Sequence, residues 1–160
     1  MKKSGGFTLI EVLIVMVIIS IVASVAVLTI THNQTKRLAY LANQLVNIIL
    51  LSEEEAILRP ATLGVAFMPH HFQVFEYREK KWSLLKNANF GLHAFSSDIQ
   101  ITLHVQNKIQ ALDGKPHLII SESGDLTPFV ILIGNKEESP RYQVIGESSG
   151  NVKSEAIDEK

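Results

Sequence analysis

Glu11 is the residue whose chemistry most needs a partner. It opens an apolar run, residues 12–30, whose only polar members are Ser20, Ser24 and Thr29, and no Asp, Glu, Lys or Arg follows it before Lys36. A carboxylate costs roughly 2.5–3.5 kcal/mol at the centre of a bilayer and less near its edge, so an acid kept in such a stretch calls for a cation. Processing can create one. Gly5-Gly6 precede Phe7, and two glycines, each about 1 kcal/mol worse than Ala in a helix, leave the chain easily extended, as a protease groove requires. Cleavage between Gly6 and Phe7 places a new ammonium group four residues before Glu11. Within one helix that is one turn; between staggered helices it is an ion pair that sets register. At ~4 Å and an effective dielectric of ~20 the two charges attract by about 4 kcal/mol before desolvation, so the pair specifies position more than it adds stability.

The remaining reactive residue types form no convincing constellation. With no cysteine in the chain, thiolate metal sites, disulfides and thiol catalysis are excluded. His70 and His71 are adjacent after Pro69, so their rings diverge, and alternation assigns His104 to the polar face of a strand. None of the 6 histidines forms the i, i+4 pair or short His/Asp cluster that zinc needs. Asp98, Asp113 and Asp125 lie near turns, where Asp caps backbone amides. Ser121, Ser123 and Ser139 have no His/Asp pattern to activate them, and Gly64, Gly91 and Gly114 are too isolated for a phosphate loop. Glu53-Glu54-Glu55 reads as a solvated helix face and Trp82 as a core anchor. The expectation is a protein that is not an enzyme, with no metal, no cofactor and no small-molecule substrate.

The elements that position Glu11 follow from the hydropathy pattern. The chain has 160 residues, 46% of them hydrophobic, and a net charge of −1, which suits one domain plus an appendage and argues against a dedicated nucleic-acid binder. About 20 apolar residues at 1.5 Å rise match a ~30 Å hydrocarbon core, so residues 7–31 read as a transmembrane helix. Lys2 and Lys3 favour a cytoplasmic N-terminus, which leaves the larger C-terminal part outside the cytoplasm. The same residues also fit a secretory signal peptide cut after Ser24-Val25-Ala26. Against that, the apolar run continues past the cut, and Glu11 is badly placed at the start of an h-region.

Beyond Ile30 the pattern turns amphipathic without a break. Leu38, Leu41, Leu45, Ile48, Ile49, Ser52 and Ala56 recur at three- and four-residue spacing, the stripe of a helix resting on a core. Glu55 and Arg59 stand in the favourable i, i+4 order, and Pro60 stops the helix. The period then shortens to two. Strands are expected over residues 62–68, 72–78, 82–85, 99–105, 117–121, 129–133 and 141–145, with turns every 8–12 residues, which indicates an antiparallel sandwich or meander against one helix. The domain plan is therefore a removable leader at 1–6, a transmembrane helix at 7–31, an amphipathic helix at 32–59, an antiparallel β domain at 60–152 and a polar, frayed tail at 153–160.

Lys2-Lys3-Ser4-Gly5-Gly6 followed by Phe7-Thr8-Leu9-Ile10-Glu11 resembles the class III signal of type IV pilins and type II secretion pseudopilins. The resemblance implies an α+β, type IV pilin-like fold with one long N-terminal helix packed on an antiparallel β-sheet sandwich. It also implies cleavage after Gly6 by prepilin peptidase, N-methylation of Phe7 and a role for Glu11 and Phe7 in filament assembly. Glu55-Ala56-Ile57, Trp82 and Ser123-Gly124-Asp125-Leu126-Thr127-Pro128-Phe129 resemble the minor pseudopilin H branch. That branch implies a bacterial inner-membrane, single-pass subunit with a periplasmic domain. With other minor and major pseudopilins as partners, it helps assemble or cap the pseudopilus that exports folded proteins across the outer membrane. Where the family often carries Arg before Glu-Ala-Ile, this chain has Glu53-Glu54. An alternative is a type IV pilus minor pilin serving assembly or DNA uptake. Removal of Lys2 and Lys3 would take the 15 basic residues to 13 against 16 acidic, so nucleic acid is not the expected partner.

Overall fold

The computed structural model describes residues 8–87 and 89–157, and for residues 25–33 the backbone alone. The expected leader, Gly6 and Phe7 lie outside the described residues. Among the described residues one helix, α1 (Leu9–Leu58), precedes all the strands. The chain divides after Arg37 into two compact units, Met1–Arg37 and Leu38–Lys160.

In the first unit every described side chain from Thr8 to Ser24 is exposed, with Leu9 at 87% and Met16 at 66%. The two serines within this stretch are satisfied inside the helix: Ser20 Oγ donates to Met16 O and Ser24 Oγ to Ser20 O, both at 2.8 Å. Intrahelical bonding of this kind lets a hydroxyl enter an apolar environment without a missing partner. Among the described residues no helix is long and apolar enough to cross a membrane; residues 12–30 fall only partly within those whose side chains are described.

In the second unit the amphipathic stripe is buried as its spacing predicts. Leu45, Ile49, Ser52 and Ala56 are fully covered, and Leu38, Leu41 and Ile48 nearly so. Each large aliphatic side chain removed from water in this way contributes about 1.5–3 kcal/mol. Ser52, the one polar residue in the stripe, donates its hydroxyl to Ile48 O at 2.7 Å. The helix ends where Pro60 requires, and Ala61 N–H returns to Ala56 O.

Among the described residues ten strands follow: β1 (Thr62–Met68), β2 (His71–Arg78), β3 (Lys81–Leu84), β4 (His93–Ala94), β5 (Ile99–Val105), β6 (Lys108–Ile109), β7 (Pro116–Ile120), β8 (Phe129–Asn135), β9 (Tyr142–Gly146) and β10 (Val152–Ala156). They form two antiparallel sheets. One has the order β3-β2-β1-β7 with β4 also on β2; the other runs β10-β9-β8-β5-β6. Residues of the helix stripe join Val65, Phe67 and Phe72 of the first sheet and Leu103, Ile131 and Val144 of the second in one core. The α+β architecture expected from the sequence is thus observed.

The structure departs from the sequence reading at three places. Residues 153–160 were expected to form a frayed tail, yet Val152–Ala156 is strand β10, paired along its length with β9. Its polar side chains gave no period because an edge strand is held by backbone bonds, and Ser154 Oγ further ties it to Asn43 Oδ1 at 2.8 Å. Trp82 is not a core anchor. The register Tyr77↔Trp82 sets it on the outer face of the first sheet, half-buried, with its ring over Gly64. A Cβ on Gly64 would come within 2.9 Å of that ring, so only glycine leaves room for it. Strands β4 and β6 escaped notice because two residues carry no periodicity.

Two of the two-residue hairpin loops use non-glycine residues at positive φ: Glu79 and Lys80 between β2 and β3, and Gln106 and Asn107 between β5 and β6. Loops of this length favour type I′ geometry, which Asn-Gly adopts at least cost. Replacing Gln106-Asn107 with Asn-Gly is expected to raise stability by about 1 kcal/mol, read as a higher denaturation midpoint at unchanged slope.

Candidate functional site

Glu11 lies in the first turn of α1, two residues after Leu9, which starts the helix. Thr8 holds that end: its carbonyl accepts the N–H of Glu11 at 3.1 Å and of Val12 at 3.3 Å. Thr8 therefore sits as the N-cap and Glu11 at the third helical position, the spacing of a capping box. The sequence carries this signal as Thr8-x-x-Glu11, and the reading that centred on Glu11 alone overlooked it. An acid in this turn also faces the positive end of the helix dipole, worth about 0.3–1 kcal/mol when exposed.

Around it, Leu9, Ile10 and Leu13 are each at least 60% exposed. The arrangement is an apolar helical surface that carries one acid at its start. Such a surface gives association its strength through burial, while the acid discriminates among the possible staggers. Phe7, whose new ammonium is the expected partner of Glu11, lies outside the described residues, as does the Gly6 cleavage position.

Among the described residues, four histidines make contacts that the fold accounts for or point away from the core. His70 lies edge-on to Phe95, with ring centroids 6.5 Å apart. His104 points away from the core between buried Leu103 and Val105. His117 Nε2 is 3.9 Å from Asp113 Oδ1, but Asp113 is engaged in its own turn, where it accepts the Lys115 N–H at 3.1 Å. That backbone bond, ahead of the Lys115 side chain, holds the Asp113 carboxyl below its usual range.

His93 is the least expected of them. Its ring stacks on Phe72 with centroids 4.9 Å apart and 14° between planes, and its Nδ1 lies 3.2 Å from Gln44 Nε2 of α1. No partner reaches its Nε2 among the described residues. Burial lowers its pKa below the ordinary 6.5. The unfolded chain therefore binds the extra proton first as pH falls. Stability is full above pH ~6.5 and declines as pH drops through that value towards the folded pKa. His93→Phe, which keeps the stack, is expected to flatten the fall in thermal midpoint between about pH 7 and pH 5; an unchanged slope would count against this account.

At the far end of α1, Arg59 Nε meets Glu55 Oε1 at 2.8 Å, as the i, i+4 spacing predicts. Glu53, which stands near the position where the family often has Arg, lays its carboxylate against Gly124 and Gly150 in the turns after β7 and β9. It makes no ion pair among the described residues.

Known proteins share the sequence and the fold of this chain. Residues 1–27 match the family described as the Prokaryotic N-terminal methylation motif. The chain is 31% identical over 162 residues to the type II secretion system protein H of Pseudomonas aeruginosa, an alignment covering 93% of this chain and 92% of that protein. Among solved structures, the minor pseudopilin EpsH from the type 2 secretion system of Vibrio cholerae superposes with a TM-score of 0.68 at 21% identity, over 78% of this chain and 99% of that one. The solution structure of E. coli GspH gives 0.60 at 16% identity, over 79% and 90%. The two structures establish the fold, and the sequence relative establishes the lineage.

Proposed function

The chain belongs to the type II secretion system protein H family of minor pseudopilins, and from that premise we propose how its residues act. Prepilin peptidase removes residues 1–6, and Phe7 becomes the methylated N-terminus. Residues 7–31 anchor the subunit in the inner membrane with the β domain in the periplasm, and later pack against other pseudopilins in the filament. The ammonium of Phe7 and the carboxylate of Glu11 meet across neighbouring subunits and set the stagger. The subunit helps assemble or cap the pseudopilus through which folded proteins leave the cell, and it serves as a building block and not as a catalyst.

One observation carries this reading: a helix start that is apolar on every described side, with its serines internally satisfied and a single acid in the first turn. Such a surface suits lipid or the interior of a bundle. The type IV pilus alternative loses ground because the relative that spans the chain is a type II secretion protein.

The test is intact-mass and N-terminal analysis of the chain purified from its own membranes. A methylated chain beginning at Phe7 is expected. One beginning at Val27 would make residues 1–26 a signal peptide and end the assembly reading.

A further inference from the structure

Strand β10 closes one end of the second sheet and leaves a row of backbone groups without a partner. Two hydrogen bonds bracket its ladder with β9: Glu147 N–H donates to Asn151 O at 3.0 Å and Ile157 N–H to Arg141 O at 2.8 Å. Along a strand, backbone groups point to alternate sides. Asn151, Lys153, Glu155 and Ile157 therefore turn theirs towards β9. Val152, Ser154 and Ala156 turn theirs outward, where none meets a backbone partner among the described residues. Strand β7, at an edge of the other sheet, is covered instead: Ile120 bridges Leu126, and Thr127 N–H donates to Ile119 O. The open edge of β10 lies along α1. Gly150 sits against Glu53, and Ser154 bonds Asn43. The strand from Gly150 to Ser154 thus runs opposite to the helix, and its length of about 14 Å matches the roughly 15 Å between Asn43 and Glu53. Asn43, Asn47 and Leu50 follow at helical spacing on this exposed side of α1, where Leu50 is 40% and Tyr40 70% exposed.

We propose that the outer edge of β10 is a strand-addition site for an extended segment of a different polypeptide, laid antiparallel to β10 over the exposed side of α1. A row of unpaired main-chain donors and acceptors is matched in full by another extended main chain, which is how peptides add to sheet edges. Charged side chains often guard such edges. Here Lys153 Nζ and Glu155 Oε1 neutralise each other at 2.6 Å, on the face turned away from the helix that Ser154 contacts. The register fixes the pattern of the occupant. Its residue opposite Ser154, and those two places to either side, face α1 and suit apolar side chains over Tyr40 and Leu50. The residues between them face outward, an acid opposite Lys153 and a base opposite Glu155. A second copy carries these charges in the same complementary order, but antiparallel pairing of identical edges needs a two-fold axis through the sheet, which reverses α1. Two anchors held in one membrane cannot meet in that way. This exclusion of a second copy rests on the proposed function; the open edge does not.

The probe is the end-blocked peptide Thr-Val-Lys-Val-Glu-Val-Thr, whose central Val stands opposite Ser154, added to the full-length chain in a non-ionic detergent. Under saturating peptide, amide exchange followed by NMR is expected to slow roughly tenfold or more at Val152, Ser154 and Ala156. Exchange at Lys153 and Glu155, whose N–H groups already face β9, is expected to stay unchanged. Ala156→Pro removes one outward donor and leaves the β9 ladder whole, so it is expected to weaken peptide binding roughly tenfold. Lys153→Glu/Glu155→Lys keeps the pair within the strand and is expected to shift the preference to Thr-Val-Glu-Val-Lys-Val-Thr. Protection without this alternation, binding indifferent to both variants, or no binding at millimolar peptide would overturn the proposal. Protection of the same three amides without peptide, rising with protein concentration, would give the edge to a second copy instead. None of these results bears on processing at Phe7. A chain beginning at Val27 would in turn withdraw the membrane argument and leave the peptide result standing.

Discussion

Glu11→Val is expected to leave the chain cut after Gly6 and methylated at Phe7, yet to keep it out of the pseudopilus. Valine suits the apolar surroundings, so anchoring and cleavage lose nothing. What disappears is the carboxylate proposed to meet a neighbour's N-terminal ammonium, and a buried ammonium left alone costs about 3–5 kcal/mol. Even the lower figure is roughly a hundredfold in incorporation. Glu11→Gln separates charge from capping, because it retains a side chain able to serve the Thr8-x-x-Glu11 box. It is expected to resemble valine in assembly. Recovery of normal pseudopili and normal secretion from both variants would remove the register role and leave Glu11 as a helix-start residue only.

Gly146→Ala is expected to produce the largest loss of stability among conservative changes in the β domain. Gly146 stands directly across from Phe129 in the β8–β9 register, and the Phe129 ring lies over it. A Cβ there would fall within 2.7 Å of Phe129 Cδ1 and Cζ, and closer still to Cε1. Phe129 is only 3% exposed and belongs to the core, so its ring has nowhere to retreat without displacing packed neighbours. Overpacking of this kind costs about 1–3 kcal/mol. Removing the ring by Phe129→Ala alone costs about 3–5 kcal/mol. In the double variant the methyl occupies space the ring has left, so the two losses are expected to sum to less than their separate values. Denaturant midpoints of the four proteins measure that coupling, and strict additivity would show that the ring and the glycine are independent.

Much of this protein is local in origin and could be read residue by residue. The apolar run with one acid, the stripe from Leu38 to Ala56, the stop at Pro60 and the alternation of Ile99, Ile101 and Leu103 all follow from periods of 3.6 and 2, which depend only on neighbours along the chain. The same is true of the Glu55–Arg59 pair. The site at Glu11 was legible for that reason, since its chemistry lies in one stretch of sequence.

Other features depend on partners far away in the chain, and there the sequence was mute or misleading. Val152–Ala156 is a strand because β9 offers it a backbone edge, not because its side chains alternate. Trp82 lies outside the core because its pairing with Tyr77 and the bare backbone of Gly64 put an open platform beneath it. His93 finds Gln44 and Phe72 only after β4 has joined β2. Periodicity alone says which face of an element turns inward. Which element lies against that face, and which polar or aromatic side chain is left outside, is decided by long-range register, so the apolar helix start and the strand pattern belong to the sequence, while the seat of Trp82 over Gly64 and of His93 on Phe72 belongs to the tertiary fold.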